Sequence, residues 1–236
     1  MLSIVIPTLN EENYLPRLLN CLKKQKFKDY EIIIADANSK DKTREIAKSF
    51  GARVVKGGEI PYARNQAIKF SKKDLILSLD ADLILPNDFL EKALKEFKER
   101  NLDVATFCFV PISKSKILKI LFNIFYNYPL LIFGKKWPHG TQGILIKKSI
   151  HKKINGWDET VKLIEDCDYL KRASKSGEFG VIKTTKMFSS LRRFRSEGLI
   201  RNALKYGFAN LYLEIKGPLK KDFLKYKFNY FKDGKP

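Results

Sequence analysis

Cysteine is scarce in this 236-residue chain. Its three, Cys21, Cys108 and Cys167, are scattered without the short paired spacing of a zinc site or a disulfide framework. That usage fits a reducing, cytoplasmic compartment. Histidine is scarcer, at two, and neither has a metal-ligand partner in sequence. No basic region or cleavage pattern precedes the first apolar run, Ile4-Val5-Ile6, which reads as a strand rather than a signal peptide. Internal repeats, low-complexity linkers and recognised nucleic-acid modules are lacking. Acidic residues are also in deficit, with 26 Asp and Glu against 46 Lys and Arg for a net charge of +20. The imbalance is uneven, because residues 1–110 carry 19 basic against 16 acidic groups and residues 111–236 carry 27 against 10. A basic second half suits an anionic partner such as a membrane surface, a nucleic acid or a phosphorylated substrate, or else a solvated Lys-rich surface.

What is present suffices for one domain, since 44% hydrophobic residues can fill a sizeable core. The first half alternates strand-like runs (Leu2 to Pro7, Glu31 to Ala35, Ala52 to Val55, Leu75 to Asp80, Asp103 to Val110) with helix-like ones (Glu11 to Lys26, Lys42 to Phe50, Ala63 to Ser71, Asp88 to Arg100). Such alternation predicts an α/β fold with a largely parallel sheet. Turn residues at the joins, among them Asn10, Asn38, Ser39, Asp41 and Asp88, are suited to start the helices that follow. The second half is less regular: Thr141 to Lys147 reads as a strand, Glu165 to Ser176 as a helix closed by Gly177, and Ser196 to Ile215 as a helix. Past Gly217 the chain reads as a frayed or membrane-adsorbed tail.

Ile117 to Phe133 is almost wholly apolar, bracketed by Lys114 and Lys116 before it and Lys135 and Lys136 after it. With Lys119, Asn123, Asn127 and Pro129 inside, it makes a poor transmembrane helix. Lys116, Lys119, Asn123 and Asn127 recur as one polar stripe on an otherwise apolar helix, which fits either an interfacial membrane helix or a core helix with its stripe in solvent.

The chemistry concentrates at Asp80-Ala81-Asp82, at the carboxyl end of the run Leu75-Ile76-Leu77-Ser78-Leu79. Strand ends of this kind open into ligand crevices. Two carboxylates there suit Mg²⁺ or Mn²⁺, which complete their shells with substrate phosphates. Around this pair stand Leu2 to Glu12, Glu31 to Thr43, Arg64-Asn65, Gly140 to Lys147, Gly156-Trp157-Asp158-Glu159 and Ile164 to Arg172. In order and spacing the set resembles the family 2 glycosyltransferases over residues 2 to about 195.

The resemblance implies a single GT-A-type domain, with a Rossmann-like, mostly parallel sheet flanked by helices. Residues 1–110 would form its nucleotide-binding half and 111–195 its acceptor half, with 196–236 a basic helical extension. It implies a nucleoside-diphosphate-sugar donor, UDP-linked above all, and a divalent cation. Pro7, Thr8 and Glu11 would line the nucleoside, Asp36 would accept the imide hydrogen of uracil, and Arg64 would meet the diphosphate. Asp80 would face the ribose or metal, Asp82 would be the direct metal ligand, and Asp166, beside Glu165, would be the general base of an inverting transfer. Asp168, two residues on, reads as a surface or cap residue. Ser190-Leu191-Arg192-Arg193-Phe194 looks like a degraded form of the Gln-x-x-Arg-Trp motif of processive members, with Arg193 at the diphosphate and Phe194 near the acceptor; the missing Gln and Trp argue against polymer synthesis. His139 and Trp137 lie close to where the acceptor would sit; that acceptor would be a hydroxyl or a lipid phosphate, met by peripheral contact at the inner, cytoplasmic membrane face or as a soluble anionic molecule.

Two other classes remain open on sequence. The basic second half with interleaved aromatics suits a nucleic-acid binder, although that role would not require Asp80, Asp82 and Asp166 at these positions. A sugar nucleotidyltransferase would want a Gly-rich, basic first loop for a triphosphate, whereas Thr8-Leu9-Asn10-Glu11-Glu12 is acidic.

Overall fold

The computed structural model describes residues 1–140, 142–190, 192 and 198–220. Period-two alternation in β1 (Leu2–Thr8) sends Leu2, Ile4 and Ile6 to one face of the sheet and Val5 to the other, all fully buried. The first face is covered by α1 (Leu15–Lys23), whose Leu15, Leu18, Leu19 and Leu22 recur at helical spacing. The opposite face takes a helix at Ile60–Lys69, which presents Ala63, Ala67 and Ile68.

β2 (Tyr30–Asp36), α2 (Thr43–Ser49), β3 (Arg53–Lys56), α3 (Ile60–Lys69) and β4 (Leu75–Leu79) follow, with β3, β2, β1 and β4 side by side and parallel. This arrangement brings the carboxyl ends of β1, β2 and β4 to one edge. Next come β5 (Leu83–Ile84), α4 (Phe89–Glu99) and β6 (Val104–Pro111). Then β7 (Gly143–Lys147), α7 (Lys148–Lys153), α8 (Glu165–Ser174) and β8 (Phe179–Ser189) complete an eight-stranded sheet in the order β3-β2-β1-β4-β7-β6-β8-β5. The parallel arrangement holds for β1 to β4 and for β6 with β8, while β7 runs antiparallel to both its neighbours and β5 antiparallel to β8. Thr141, the expected start of the seventh strand, lies outside the described residues.

The sequence reading contains no strand at Phe179–Ser189. Its apolar pattern breaks at Lys183-Thr184-Thr185, where the register slips so that Phe107 pairs with Ile182 but Cys108 with Lys186. Glu96 of α4, 6% exposed, fills the irregularity. Its Oε2 accepts from the N–H groups of Lys183 and Thr184 and from the Thr184 hydroxyl, each at 2.8 Å, and its Oε1 accepts from Arg100 at 2.6 Å. Backbone donors that the ladder leaves unpaired are thereby satisfied.

Between β6 and β7, α5 (Lys116–Phe122), a π-turn (Asn123–Asn127) and α6 (Tyr128–Phe133) form one helical segment, started by Ser115, whose hydroxyl accepts from the Leu118 N–H at 3.2 Å. Asn127 is buried and faces β6: its Oδ1 accepts from the Phe109 N–H at 3.2 Å and its Nδ2 donates to the Phe109 carbonyl at 2.9 Å. The apolar side chains face out, with Ile117 71%, Phe125 76% and Ile132 68% exposed. A core helix with its stripe in water is therefore not what forms; the polar stripe turns inward at Asn127. Among the described residues this is the one helical segment long and apolar enough to cross a membrane, 18 residues at a mean hydropathy of 1.3. The Asn127 bonds and the fully buried Leu130 fasten its inner side to the domain, so it lies along the fold.

The last described helix, α9 (Leu199–Lys216), packs Ala209 and Leu213 against Leu163, Ile164 and Cys167. Residues 217–220 are docked and not frayed: Leu219 is buried, its carbonyl accepts from the Lys162 N–H at 3.0 Å, and Lys220 pairs with Asp158 at 3.1 Å. The expected helix start at Ser196 and the tail from residue 221 onward lie outside the described residues.

Glu96→Ala should destabilise the domain by roughly 1–3 kcal/mol, the cost of stranding buried donors. Urea unfolding monitored by circular dichroism measures it, and an unchanged midpoint would show that β8 does not need this carboxylate.

Candidate active site

The site begins with two turns at the carboxyl edge of the sheet. Asn10 and Asn38 take left-handed backbone (φ +55° and +66°), which Asn tolerates better than other side-chain-bearing residues. The turns are stitched together: the Asn10 N–H donates to Ser39 Oγ, Asn10 Oδ1 accepts from the Lys40 N–H, and the Glu11 N–H donates to Thr43 Oγ1, at 2.8–2.9 Å. Asp36 is absorbed into this fabric. It accepts from the Ser39 N–H at 2.9 Å, from the Ser39 hydroxyl at 2.5 Å and from the Thr8 hydroxyl at 3.1 Å. It faces a side cavity of about 440 Å³, with Asn38, Val54, Lys56 and Gly57, and not the main one.

The main cavity holds about 900 Å³. Pro7, Thr8, Glu11, Asp80, Asp82, His139, Glu165 and Asp166 all line it. Arg64 lines it too, but its position differs from that of a free diphosphate ligand. Its guanidinium is nearly fully buried and already engaged, donating to Asp166 Oδ1, to Asp80 Oδ1 at 2.9 Å and to Glu165 Oε1 at 3.4 Å. The Trp157 ring lies 5.5 Å from its centre and stacks in turn on Tyr169 at 3.7 Å. Next to Arg64, Asn65 accepts from the Trp157 N–H and donates to the Trp157 carbonyl, both at 2.9 Å, so the Arg64-Asn65 and Gly156 to Glu159 segments are structural partners.

A second guanidinium was not singled out by the sequence. Arg192 donates to both Glu11 oxygens at 2.8 and 2.5 Å, and its Nε lies 3.1 Å from Asp82 Oδ2. Ser190 Oγ also donates to Asp82, at 3.0 Å. Arg193 and Phe194 lie outside the described residues. The chain thus holds a side-chain cation between Glu11 and Asp82. Among the described residues no cluster of three Asp, Glu, His or Cys side chains offers a complete metal cage. An oxygen-only pair of this kind fits Mg²⁺ or Mn²⁺, which take one or two carboxylates and leave the remaining positions to phosphate and water.

Burial sets the acid strengths. It pushes Asp166 up from 3.8 to about 7, with Glu165 and Asp80 acting in the same sense and Arg64 opposing. Burial likewise raises Glu11 from 4.5 to about 6 against the pull of Arg192. Asp166 stands in the first turn of α8, directly after Ile164, a β-branched residue in left-handed conformation (φ +55°, ψ +36°). Asp168 is buried and not a surface residue: it pairs with Arg172 at 2.9 Å, and Arg172 donates to the carbonyls of Ile154 and Gly156. His139 donates through Nδ1–H to the Trp137 carbonyl, 2.9 Å away, and meets the Tyr126 ring edge-on at 5.7 Å. Burial lowers its affinity for a proton. Gly140 and Gly143 allow β7 to close on this wall, since a Cβ on either would fall 2.3 Å from Thr106 Oγ1 or 2.5 Å from Met187 Cε.

The pattern that defines glycosyl transferase family 2 matches residues 3–153. A glycosyltransferase from Rickettsia typhi is 31% identical over 185 residues, covering 71% of this chain and 57% of its own length. The chain therefore spans little more than half of that relative. Among solved structures, Staphylococcus aureus TarS in complex with UDP superposes with a TM-score of 0.65 at 19% identity, covering 80% of this chain and 60% of that one. A mannosyltransferase from Pyrobaculum calidifontis in complex with GDP-Man and Mn²⁺ gives 0.69 at 17% identity, covering 88% and 64%. These likenesses show the fold, a mixed α/β domain of the GT-A type.

The raised acids carry a pH dependence with a definite sign. The folded chain holds protons on Asp166 and Glu11 that the unfolded chain releases near pH 4 to 4.5, so their contribution to stability falls as pH rises towards about 7 and is level above it. Asp166→Asn should flatten that slope. Urea unfolding of both proteins at pH 5 and pH 7.5 measures it: the variant should gain on the parent at the higher pH, and an equal difference at both values would contradict the raised acid.

Proposed function

The chain belongs to glycosyl transferase family 2, and from that premise we propose that it moves a sugar from a nucleoside diphosphate, UDP above all, onto an acceptor hydroxyl with inversion at the anomeric carbon. One observation carries the reading: Asp80 and Asp166 share the single guanidinium of Arg64 on the wall of one cavity, with Asp82 two residues from the first. A group that handles the diphosphate and a group that handles the acceptor are thereby held side by side.

In this reaction Asp166 takes the proton of the acceptor hydroxyl as its oxygen bonds to the anomeric carbon, while the bond from that carbon to the diphosphate oxygen breaks on the opposite side. An acid near pKa 7 is poised for such work at neutral pH. Glu165 and Arg64 orient Asp166. Asp82, with Asp80 behind it, would hold Mg²⁺ or Mn²⁺, which supplies charge neutralisation to the leaving diphosphate. The Mn²⁺ found with GDP-Man in the mannosyltransferase supports a divalent ion here, and the UDP of the TarS complex supports a uridine donor. Arg192 exchanges Glu11 and Asp82 for diphosphate oxygens as the donor enters. Pro7 and Thr8 flank the nucleoside, and Asp36, bonded to Thr8 and facing the side cavity, takes the imide hydrogen there with the one lone pair its three loop bonds leave. His139 touches the acceptor.

The reading includes a peripheral place on an anionic membrane, at its cytoplasmic face. The outward Ile117, Ile124, Phe125 and Ile132 are flanked by Lys114, Lys116, Lys135 and Lys136, a combination of apolar contact and charge that suits such a surface.

UDP should raise the melting temperature of the parent protein only when Mn²⁺ or Mg²⁺ is present, and Asp82→Ala should abolish the metal-dependent part. Asp166→Asn should keep this shift while turnover falls at least about a hundredfold, the scale of a lost general base. Full turnover by that variant would reject Asp166 as the base.

Vesicles containing anionic lipid should capture the protein, less so as salt shortens the Debye length from about 10 Å at 0.1 M to about 3 Å at 1 M. Ile117→Ser, Ile124→Ser and Ile132→Ser together should abolish capture in a sedimentation assay and leave the melting temperature within about 2 °C, because all three side chains are exposed. Undiminished capture would remove this segment from the membrane contact.

A further inference from the structure

The main cavity is larger than its polar chemistry requires, and it has two unlike ends. Five carboxylates and two guanidiniums occupy one end. The segment between β6 and β7 adds Leu118, Leu121, Phe122, Phe125, Tyr126 and Pro129 to the lining, and α9 adds Tyr206, Gly207 and Asn210. Of the six side chains from the first segment only Tyr126 carries a hydrogen-bonding group, so a sugar lying there would recover little of the hydrogen bonding it gives up with its water. Both walls continue outward into exposed apolar side chains, Ile117, Ile124 and Ile132 on one segment and Phe208, Leu211 and Ile215 on α9. The apolar end thus opens onto a surface that is itself apolar, with lysines around it.

We propose that this end takes the hydrocarbon chain of a membrane-resident acceptor, and that the hydroxyl-bearing head of that lipid reaches Asp166 while its tail stays in the channel between the two walls. The proposal rests on the glycosyltransferase reading for the choice of a hydroxyl head, since a base such as Asp166 has a proton to remove from an alcohol and none from an ionised phosphate. The tail assignment rests on the walls alone. Entry from the bilayer side spares the lipid from leaving its apolar environment at any stage, and the burial of each methylene in the channel is favourable by the usual hydrophobic transfer.

The test uses monomeric butyl and decyl glucosides, below micelle formation, in equilibrium dialysis against the protein with UDP and Mn²⁺. Decyl glucoside should bind at least tenfold more tightly than butyl glucoside. Leu121→Ser and Phe125→Ser, both on the cavity wall and both exposed enough to spare the fold, should remove most of that advantage. Ile117→Ser and Ile132→Ser, exposed but away from the cavity, should leave it intact. Equal affinity for the two chain lengths, or equal loss from the two pairs of variants, would overturn the channel. Decyl phosphate binding more tightly than decyl glucoside would overturn the hydroxyl head. A glucoside that binds by chain length while UDP gives no metal-dependent thermal shift would instead defeat the glycosyltransferase reading and keep the channel, so the two failures are separable.

Discussion

The buried guanidinium of Arg64 is the interaction on which the site depends. It rises from α3, beneath the parallel half of the sheet, and joins Asp80 at the end of β4 to Glu165 and Asp166 at the start of α8. Chain segments a hundred residues apart are locked by one side chain. A charge this deep is tolerable only with close partners, and losing one member of such a group costs roughly 3–5 kcal/mol. Three acids against one cation leave an excess of negative charge, and burial turns that excess into a raised acid at Asp166. The helix dipole at the start of α8 pulls the other way, but its typical 0.3–1 kcal/mol is small beside the desolvation of a buried carboxylate. The same surplus of carboxylate near Asp82 and Glu11 is held by Arg192, a cation the chain supplies itself.

Much of this was legible in the residues, and the reasons for the exceptions are physical. Strands with clean two-residue alternation or fully apolar runs, β1, β2 and β4, announced themselves, as did α1 and α4 with apolar residues three and four apart. Asp80, Asp82 and Asp166, which line the main cavity, could be singled out because each sits at an element boundary, where sequence punctuation is strongest. β8 was hidden because Lys183-Thr184-Thr185 interrupts its pattern, and the compensating Glu96 lies on a distant helix. Asp168 read as a surface or cap residue because it points to a different helix face from Asp166; that face is instead covered, and Arg172, bonded to Asp168, holds the loop at Ile154 and Gly156. That three carboxylates converge on Arg64 could not be read, because nothing local in the sequence reveals it. Arg192 was not singled out, since which of two neighbouring arginines turns towards Glu11 and Asp82 depends on the path of the chain.

The segment between β6 and β7 inverts the usual sorting of side chains. Asn127, which water would solvate readily, is buried to satisfy both backbone groups of Phe109, and the large apolar residues are left outside. Exposing several Ile and Phe side chains in water forgoes roughly 1.5–3 kcal/mol for each that could have been buried. The anchoring amide of Asn127 fixes the orientation of the segment.

That orientation is tied to the chemistry through α9. Ala209 and Leu213 of α9 pack on Leu163, Ile164 and Cys167, the residues immediately around the carboxylate pair at the start of α8. Ile164 is in a left-handed backbone state that costs a β-branched residue on the order of 1–2 kcal/mol, and its burial in this cluster offsets that cost. The cluster therefore has two tasks at once: it holds the wall that faces the apolar end of the cavity, and it holds the backbone turn that delivers Asp166 to the polar end. A contact that moves α9 against the rest of the domain must act on that turn, so whatever lies on the apolar surface is coupled by packing to the position of Asp166.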